Sequence, residues 1–188
     1  MQQDYLQIGE IVRPQGIRGE VKLRGSGSLT VNANYNNGIT GKDTLFIQKA
    51  SVTVNAVNHG INGKDSLTIK DADITVTSGG DALRSTNDSD TTLGYLVITG
   101  SALKLTAGED GIQAETNLTL SGSTLNVTTG GGSSASLSDD TSAKGLKAGT
   151  ALTIESGIFD LNCADDAIHS NGNVTILDGT FEISTGDD

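Results

Sequence analysis

Tryptophan is absent from this sequence, cysteine and proline occur once each, and phenylalanine and tyrosine three times each. The lone cysteine, Cys163, excludes an intrachain disulfide. So few aromatic rings cannot fill an ordinary bulky core, and they leave little for stacking on flat ligands. No run approaches the ~18 apolar residues of a membrane-spanning helix. The N-terminus lacks the basic-then-apolar pattern of an export signal. Positive charge is also scarce, with 12 Lys and Arg against 23 Asp and Glu, a net charge of −11. In residues 1–23, Asp4, Glu10 and Glu20 balance Arg13, Arg18 and Lys22, so the excess lies wholly in 24–188. Such a body is a poor partner for nucleic acid, whose affinity comes from neutralising phosphates with Lys and Arg. Cations or neutral, hydroxyl-rich ligands suit it better.

Glycine, by contrast, occurs 25 times, among many Thr, Ser, Asn, Leu, Ile and Val. That mixture favours strands over helices, and its order is periodic. Gly38-Ile39 recurs 22 residues on as Gly60-Ile61 and again after 22 as Ala82-Leu83. Gly111-Ile112 follows after 29, Gly145-Leu146 after 34 and Ala167-Ile168 after 22. The longer steps hold loop-type insertions, Arg84 to Thr92 and Gly130 to Asp140. Between these marks the apolar residues fall in columns: Leu45/Ile47, Leu67/Ile69, Leu96/Ile98, Leu118/Leu120, Leu152/Ile154 and Val174/Ile176 in one. A second runs Val52/Val54, Ile74/Val76, Leu103/Leu105, Leu125/Val127, Phe159/Leu161 and Phe181/Ile183. Alternation within each pair is the strand period of two. Three short strands per 22 residues predict an all-β chain, a right-handed parallel β-helix of about six turns. A leucine-rich repeat has a similar length, but its Leu/Asn template is absent. Cys163 shares a column with Ala56, Ser78, Ala107, Thr129 and Thr185, which predicts a small buried corner residue.

One corner carries the chemistry. Just before each repeat mark stand Asn36-Asn37, Asn58-His59, Gly80-Asp81, Glu109-Asp110, Ala143-Lys144, Asp165-Asp166 and Asp187-Asp188. Coils stack about 4.8 Å apart, so Asp81 is expected over Asp110 and Asp166 beside Asp188. Carboxylates at that spacing repel by roughly 1 kcal/mol in water and more when shielded. They call for a cation or good solvation. Calcium, with six to eight oxygen ligands at about 2.3–2.6 Å, suits an oxygen-rich corner better than zinc does. The alternative is turn chemistry on a solvated face. Beside the corner runs a second column, Thr40, Asn62, Arg84, Gln113, Lys147 and His169. Its members Arg84, Gln113, Lys147 and His169 are candidate carbohydrate contacts, or else charge balance on an acidic wall. His59 and His169 are expected at the surface.

The phrases Gly145-Leu-Lys-Ala148, Leu152-Thr-Ile-Glu-Ser-Gly157 and Asp165-Asp-Ala-Ile-His-Ser-Asn171 resemble the carbohydrate-binding, calcium-binding β-helix family of bacterial surface proteins, itself similar in fold to pectate lyases. The resemblance covers about 28–188. It implies an extracellular or surface location, polysaccharide as partner (cellulose or an acidic polysaccharide), and Ca²⁺ at acidic turns. By motif position the implied metal ligands are Asp81, Glu109, Asp110, Asp139, Asp140, Asp165, Asp166, Asp187 and Asp188. The first two turns depart from the pattern, with Asn and His where acids are expected. The last phrase stops at Gly186-Asp187-Asp188, which reads as a C-terminally truncated coil with an open sheet edge through which copies could associate end to end.

Residues 1–23 do not follow the repeat. Their Ile8-Gly-Glu-Ile-Val12 and Gly16-Ile-Arg-Gly-Glu-Val21 resemble the N-terminus of the ribosome maturation factor RimM, joined through a linker at 24–27. This implies a chimera or fusion. The functional expectation is non-catalytic, calcium-dependent carbohydrate binding, with no catalytic residue assigned. The alternatives are a pectate-lyase-like polysaccharide lyase with Lys147 or Arg84 as base, a structural fragment without activity, and RimM-like ribosome maturation.

Overall fold

The computed structural model of the chain describes residues 20–24, 27–138 and 140–187. The Met1 to Gly19 part of the RimM-like segment therefore lies outside the described residues, as do Asp139 and Asp188. Two leading strands, β1 (Glu20–Arg24) and β2 (Ser28–Ala33), precede six coils of three strands each. The first coils are β3 (Ile39–Gly41), β4 (Thr44–Gln48), β5 (Ser51–Ala56), then β6 (Ile61–Gly63), β7 (Ser66–Lys70), β8 (Asp73–Ser78). Next come β9 (Leu83–Ser85), β10 (Tyr95–Thr99), β11 (Ala102–Ala107) and β12 (Ile112–Ala114), β13 (Asn117–Ser121), β14 (Ser123–Thr129). The last two are β15 (Leu146–Ala148), β16 (Ala151–Ile154), β17 (Gly157–Cys163) and β18 (Ile168–Ser170), β19 (Asn173–Ile176), β20 (Thr180–Thr185).

All pairings are parallel, and every third strand shares a sheet: two sheets of seven strands and one of six. This is the right-handed parallel β-helix that the 22-residue period predicts. The register is that of the columns, with Leu96 between Leu67 and Leu118 and Leu105 between Val76 and Val127. The strand β1 pairs with β4 (Val21↔Leu45, Leu23↔Ile47), so the stack takes in residues that the sequence pattern assigns to the N-terminal segment and linker.

One coil cannot bury its own apolar face, and stacking buries all of them at once. Leu45, Leu67, Leu96, Leu118 and Leu152 are fully buried, as are Ile47, Ile69, Ile98, Leu120 and Ile154. Each contributes about 1.5–3 kcal/mol by leaving water. The two phenylalanines of the third side, Phe159 and Phe181, stack with centroids 4.8 Å apart and planes 8° from parallel. Cys163 is free and buried at its corner, as its column predicts. At Gly60 an added Cβ would collide with Val76 Cγ1 and the Ala82 carbonyl oxygen, so the corner before the short strands is tight. The short strands β3, β6, β9, β12, β15 and β18 begin one residue after it; they carry the column from Thr40 to His169, and the acidic column lies on the turns just before them.

Candidate carbohydrate and cation site at the acidic corner

The corner column is held by hydrogen bonds that run from coil to coil. Asn37 Oδ1 accepts the His59 N–H at 3.3 Å, and His59 Nδ1 accepts the Asp81 N–H at 2.9 Å. Asp81 Oδ1 accepts the Asp110 N–H at 3.1 Å, and Asp110 Oδ1 accepts the Lys144 N–H at 2.9 Å. Each side chain therefore satisfies the backbone donor at the same position of the next coil. The property shared by Asn, His and Asp is acceptance, not charge. Lysine cannot accept, and the ladder ends at Lys144. In the next coil Asp166 N–H turns instead to Asp165 Oδ1 at 2.8 Å.

The charges of the column are met by protein cations. Arg84 Nη1 lies 3.4 Å from Asp81 Oδ2, and Lys147 Nζ lies 2.8 Å from Asp110 Oδ2. His169 Nδ1 lies 2.9 Å from Asp166 Oδ2. Lys144 Nζ reaches both Asp165 Oδ1 at 2.7 Å and Asp166 Oδ2 at 2.5 Å. Asp110 is 3% exposed and accepts three bonds, the third from Ser142 Oγ at 2.7 Å. Buried charge is tolerated on those terms. His59 differs from the surface residue expected of it, since its side chain is only 13% exposed.

Burial, with the neighbouring Asp110 charge, pushes the Asp81 carboxyl above the usual range, against the pull of Arg84. Burial likewise lowers the His59 imidazole, helped by Arg84 and opposed by Glu109. A neutral His59 is what acceptance at Nδ1 requires. At Asp165, burial opposes ionisation, but hydrogen bonds from Lys144 and from the Asp166 and Ala143 amides outweigh it and lower the carboxyl. Burial opposes the charge of Lys144 as well, but its bonds to the Asp165 and Asp166 carboxylates, and their charges, raise it above its usual value.

Beside the ladder lies a cleft of about 320 Å³ lined by Asp81, Glu109, Asp110, Gln113, Asp140, Thr141, Ser142 and Lys147. It forms where Asp140, at the end of the insertion, and Thr141 and Ser142 just past it meet the acidic corner. The insertion is fastened at its start by the Ser133 N–H to Asn162 Oδ1 at 2.8 Å and just past its end by Ser142 to Asp110. Among the described residues, Glu109 and Asp140 form no ion pair, so they are the carboxylates left for a ligand.

Of the carbohydrate candidates, Gln113 and Lys147 line this cleft, while Arg84 is turned to Asp81 and His169 to Asp166. The metal candidates fall into separate places. Asp81 and Glu109 stand with His59, and Asp165 and Asp166 with Asp187, each trio offering ligand atoms within 4.8 Å of one another. Asp140 stands in the cleft with Asp81, Glu109 and Asp110. Thr141 and Ser142 were not among the candidates. Their position directly after the insertion, next to the acidic corner, is the sequence signal that marks them.

Among the described residues no helix is long and apolar enough to cross a membrane. No curated protein matches the chain, and no solved structure does. A family profile described as carbohydrate-binding domain-containing protein matches residues 17–188, nearly the whole length. The chain belongs to this carbohydrate-binding domain-containing family.

Proposed function

We propose that the chain is a non-catalytic binding module that takes a polysaccharide segment in the 320 Å³ cleft with the help of calcium. The observation that carries this reading is the pairing pattern inside the cleft. Asp81 and Asp110 are committed to Arg84 and Lys147, whereas Glu109 and Asp140 are not. The cleft is at the small end of the ~300–1,000 Å³ typical for small-molecule sites, and it is polar. Gln113, Thr141 and Ser142 offer the mixed donors and acceptors that sugar hydroxyls need.

The donor set fits calcium. It is oxygen-rich, with two carboxylates and two hydroxyls on adjoining segments, and Ca²⁺ accepts irregular oxygen shells. Glu109 and Asp140 would hold the ion, whose charge would let an acidic sugar approach four acidic residues. Without the ion, a neutral glycan is the better match. Arg84 and Lys147, the bases a lyase would use, each donate to a column carboxylate, which supports binding without catalysis. The reading is tested by calorimetric titration of polygalacturonate and cellulose fragments with calcium and with EGTA. Calcium-dependent binding of the acidic glycan is expected. Binding of neither glycan to wild-type protein overturns the proposal.

A further inference from the structure

The fifth coil has the one lysine in the ladder column, and that residue does something no other member does. Lys144 stands where its neighbours carry Asn37, His59, Asp81, Asp110 and Asp166. Its ammonium lies 2.7 Å from Asp165 and 2.5 Å from Asp166, on the turn one coil further along. The three side chains are 14–16% exposed, so solvent screens the contact only in part. The adjacent Asp187 brings a third carboxylate within 4.8 Å of that pair. Three carboxylates so close would repel strongly without a cation among them. An ammonium is already there, tethered to the chain.

We propose that Lys144 is a built-in cation that fills the Asp165–Asp166 turn, holds it closed without metal, and excludes the divalent ion its three carboxylates would otherwise take. The geometry fits an ammonium, with Nζ donating to a carboxylate of each residue. The backbone fits too. Asp165 Oδ1 takes the Asp166 N–H and Oδ2 the Ala143 N–H, so both carboxylate oxygens of Asp165 are spoken for once the lysine is in place. A divalent ion entering beside Lys144 would meet a like charge at contact distance. Lys144 therefore decides which turn is open to metal. That metal is then confined to the Glu109–Asp140 cleft rests on the calcium reading above; the ammonium bridge does not.

The test compares wild type, K144Q, K144R and the double variant K144Q/D165N by calorimetric titration with calcium chloride and by melting in EGTA or calcium. The K144Q variant is expected to melt roughly 5–10 °C lower in EGTA, the shift for losing a shielded ion pair in a domain of this size. Calcium should restore it and fill one more site than in wild type. The K144R variant should stay near wild type in both conditions. Adding D165N to K144Q should recover the midpoint in EGTA and abolish the extra site, because one repelling charge has gone. The site count separates the two proposals: one ion in wild type and two in K144Q if both hold, none and one if only this one does. If K144Q gains no site and melts equally low with calcium and EGTA, the proposal is wrong. Should K144Q not fold in EGTA, K144Q/D165N must fold there; failure of the double variant also overturns it.

Discussion

The imidazole of His59 accepts the backbone N–H of Asp81 through Nδ1 at 2.9 Å, one coil away. This requires a neutral ring, and burial lowers its pKa accordingly. A base whose folded value is depressed stabilises fully above its ordinary value, here 6.5. That stabilisation is lost as pH falls through and below it. The melting midpoint should therefore drop between about pH 7 and pH 5. The variant H59N keeps an acceptor, as Asn37 does in the preceding coil, and should flatten that part of the profile. An unchanged slope in H59N would assign the pH dependence elsewhere.

Asp110 offers a second test of the ladder. Its carboxylate accepts from the Lys144 amide, the Ser142 hydroxyl and the Lys147 ammonium. Replacing it by alanine should cost about 3–5 kcal/mol in urea unfolding, since Lys147 loses its carboxylate and keeps only Ser142 Oγ at 3.0 Å, and the half-buried Lys144 amide loses its acceptor. The variant D110N should cost less, because an amide oxygen still caps the Lys144 N–H. Equal losses would mean that charge alone matters at this position.

The repeat itself was the most legible feature of the sequence. The columns through Leu45 and Val52 are apolar at every coil, and period two within period 22 admits few other folds. The corner was less legible. Asp81 and Asp110 read as charges because both are acids, yet their shared role with Asn37 and His59 is to accept a neighbour's amide. That role depends on which backbone donors a turn leaves unpaired, which residue type alone does not reveal. The partners Arg84 and His169 lie three residues from their acids in sequence. The Lys147–Asp110 and Lys144–Asp165 pairs instead cross coils separated by an insertion or a full turn, so only the stacked register brings them together.

Aromatic stacking inside the solenoid should be worth more than its two rings suggest. Phe159 is 1% exposed and lies flat on Phe181. The variant F159A should destabilise by about 3–5 kcal/mol, and F159L by less. Urea midpoints within error of wild type for F159A would contradict the packing.

Asp165 and Lys144 titrate in opposite directions, and their bridge has a defined window. The Asp165 carboxyl is lowered by its donors, so its stabilisation holds above the ordinary 3.8 and is lost as pH falls through the depressed value. Lys144 is raised, so its share holds below 10.5 and is lost as pH rises through the elevated value. The wild-type minus K144Q difference in melting midpoint should therefore be flat at neutral pH and shrink at both extremes. A difference that persists at acidic pH would point to packing of the lysine stem.

The cleft is where ligand binding and stability come apart most cleanly, because Glu109 and Asp140 lie outside the ladder and its ion pairs. The most direct measurement is calorimetric titration of polygalacturonate fragments into wild type and E109Q/D140N, each with calcium and with EGTA, alongside their melting curves. Binding by wild type in calcium, weakened at least about tenfold in the variant (roughly 1.4 kcal/mol) and in EGTA, at unchanged apo midpoints, is the expected result. Equal affinity in wild type and variant would contradict the assignment of the cleft.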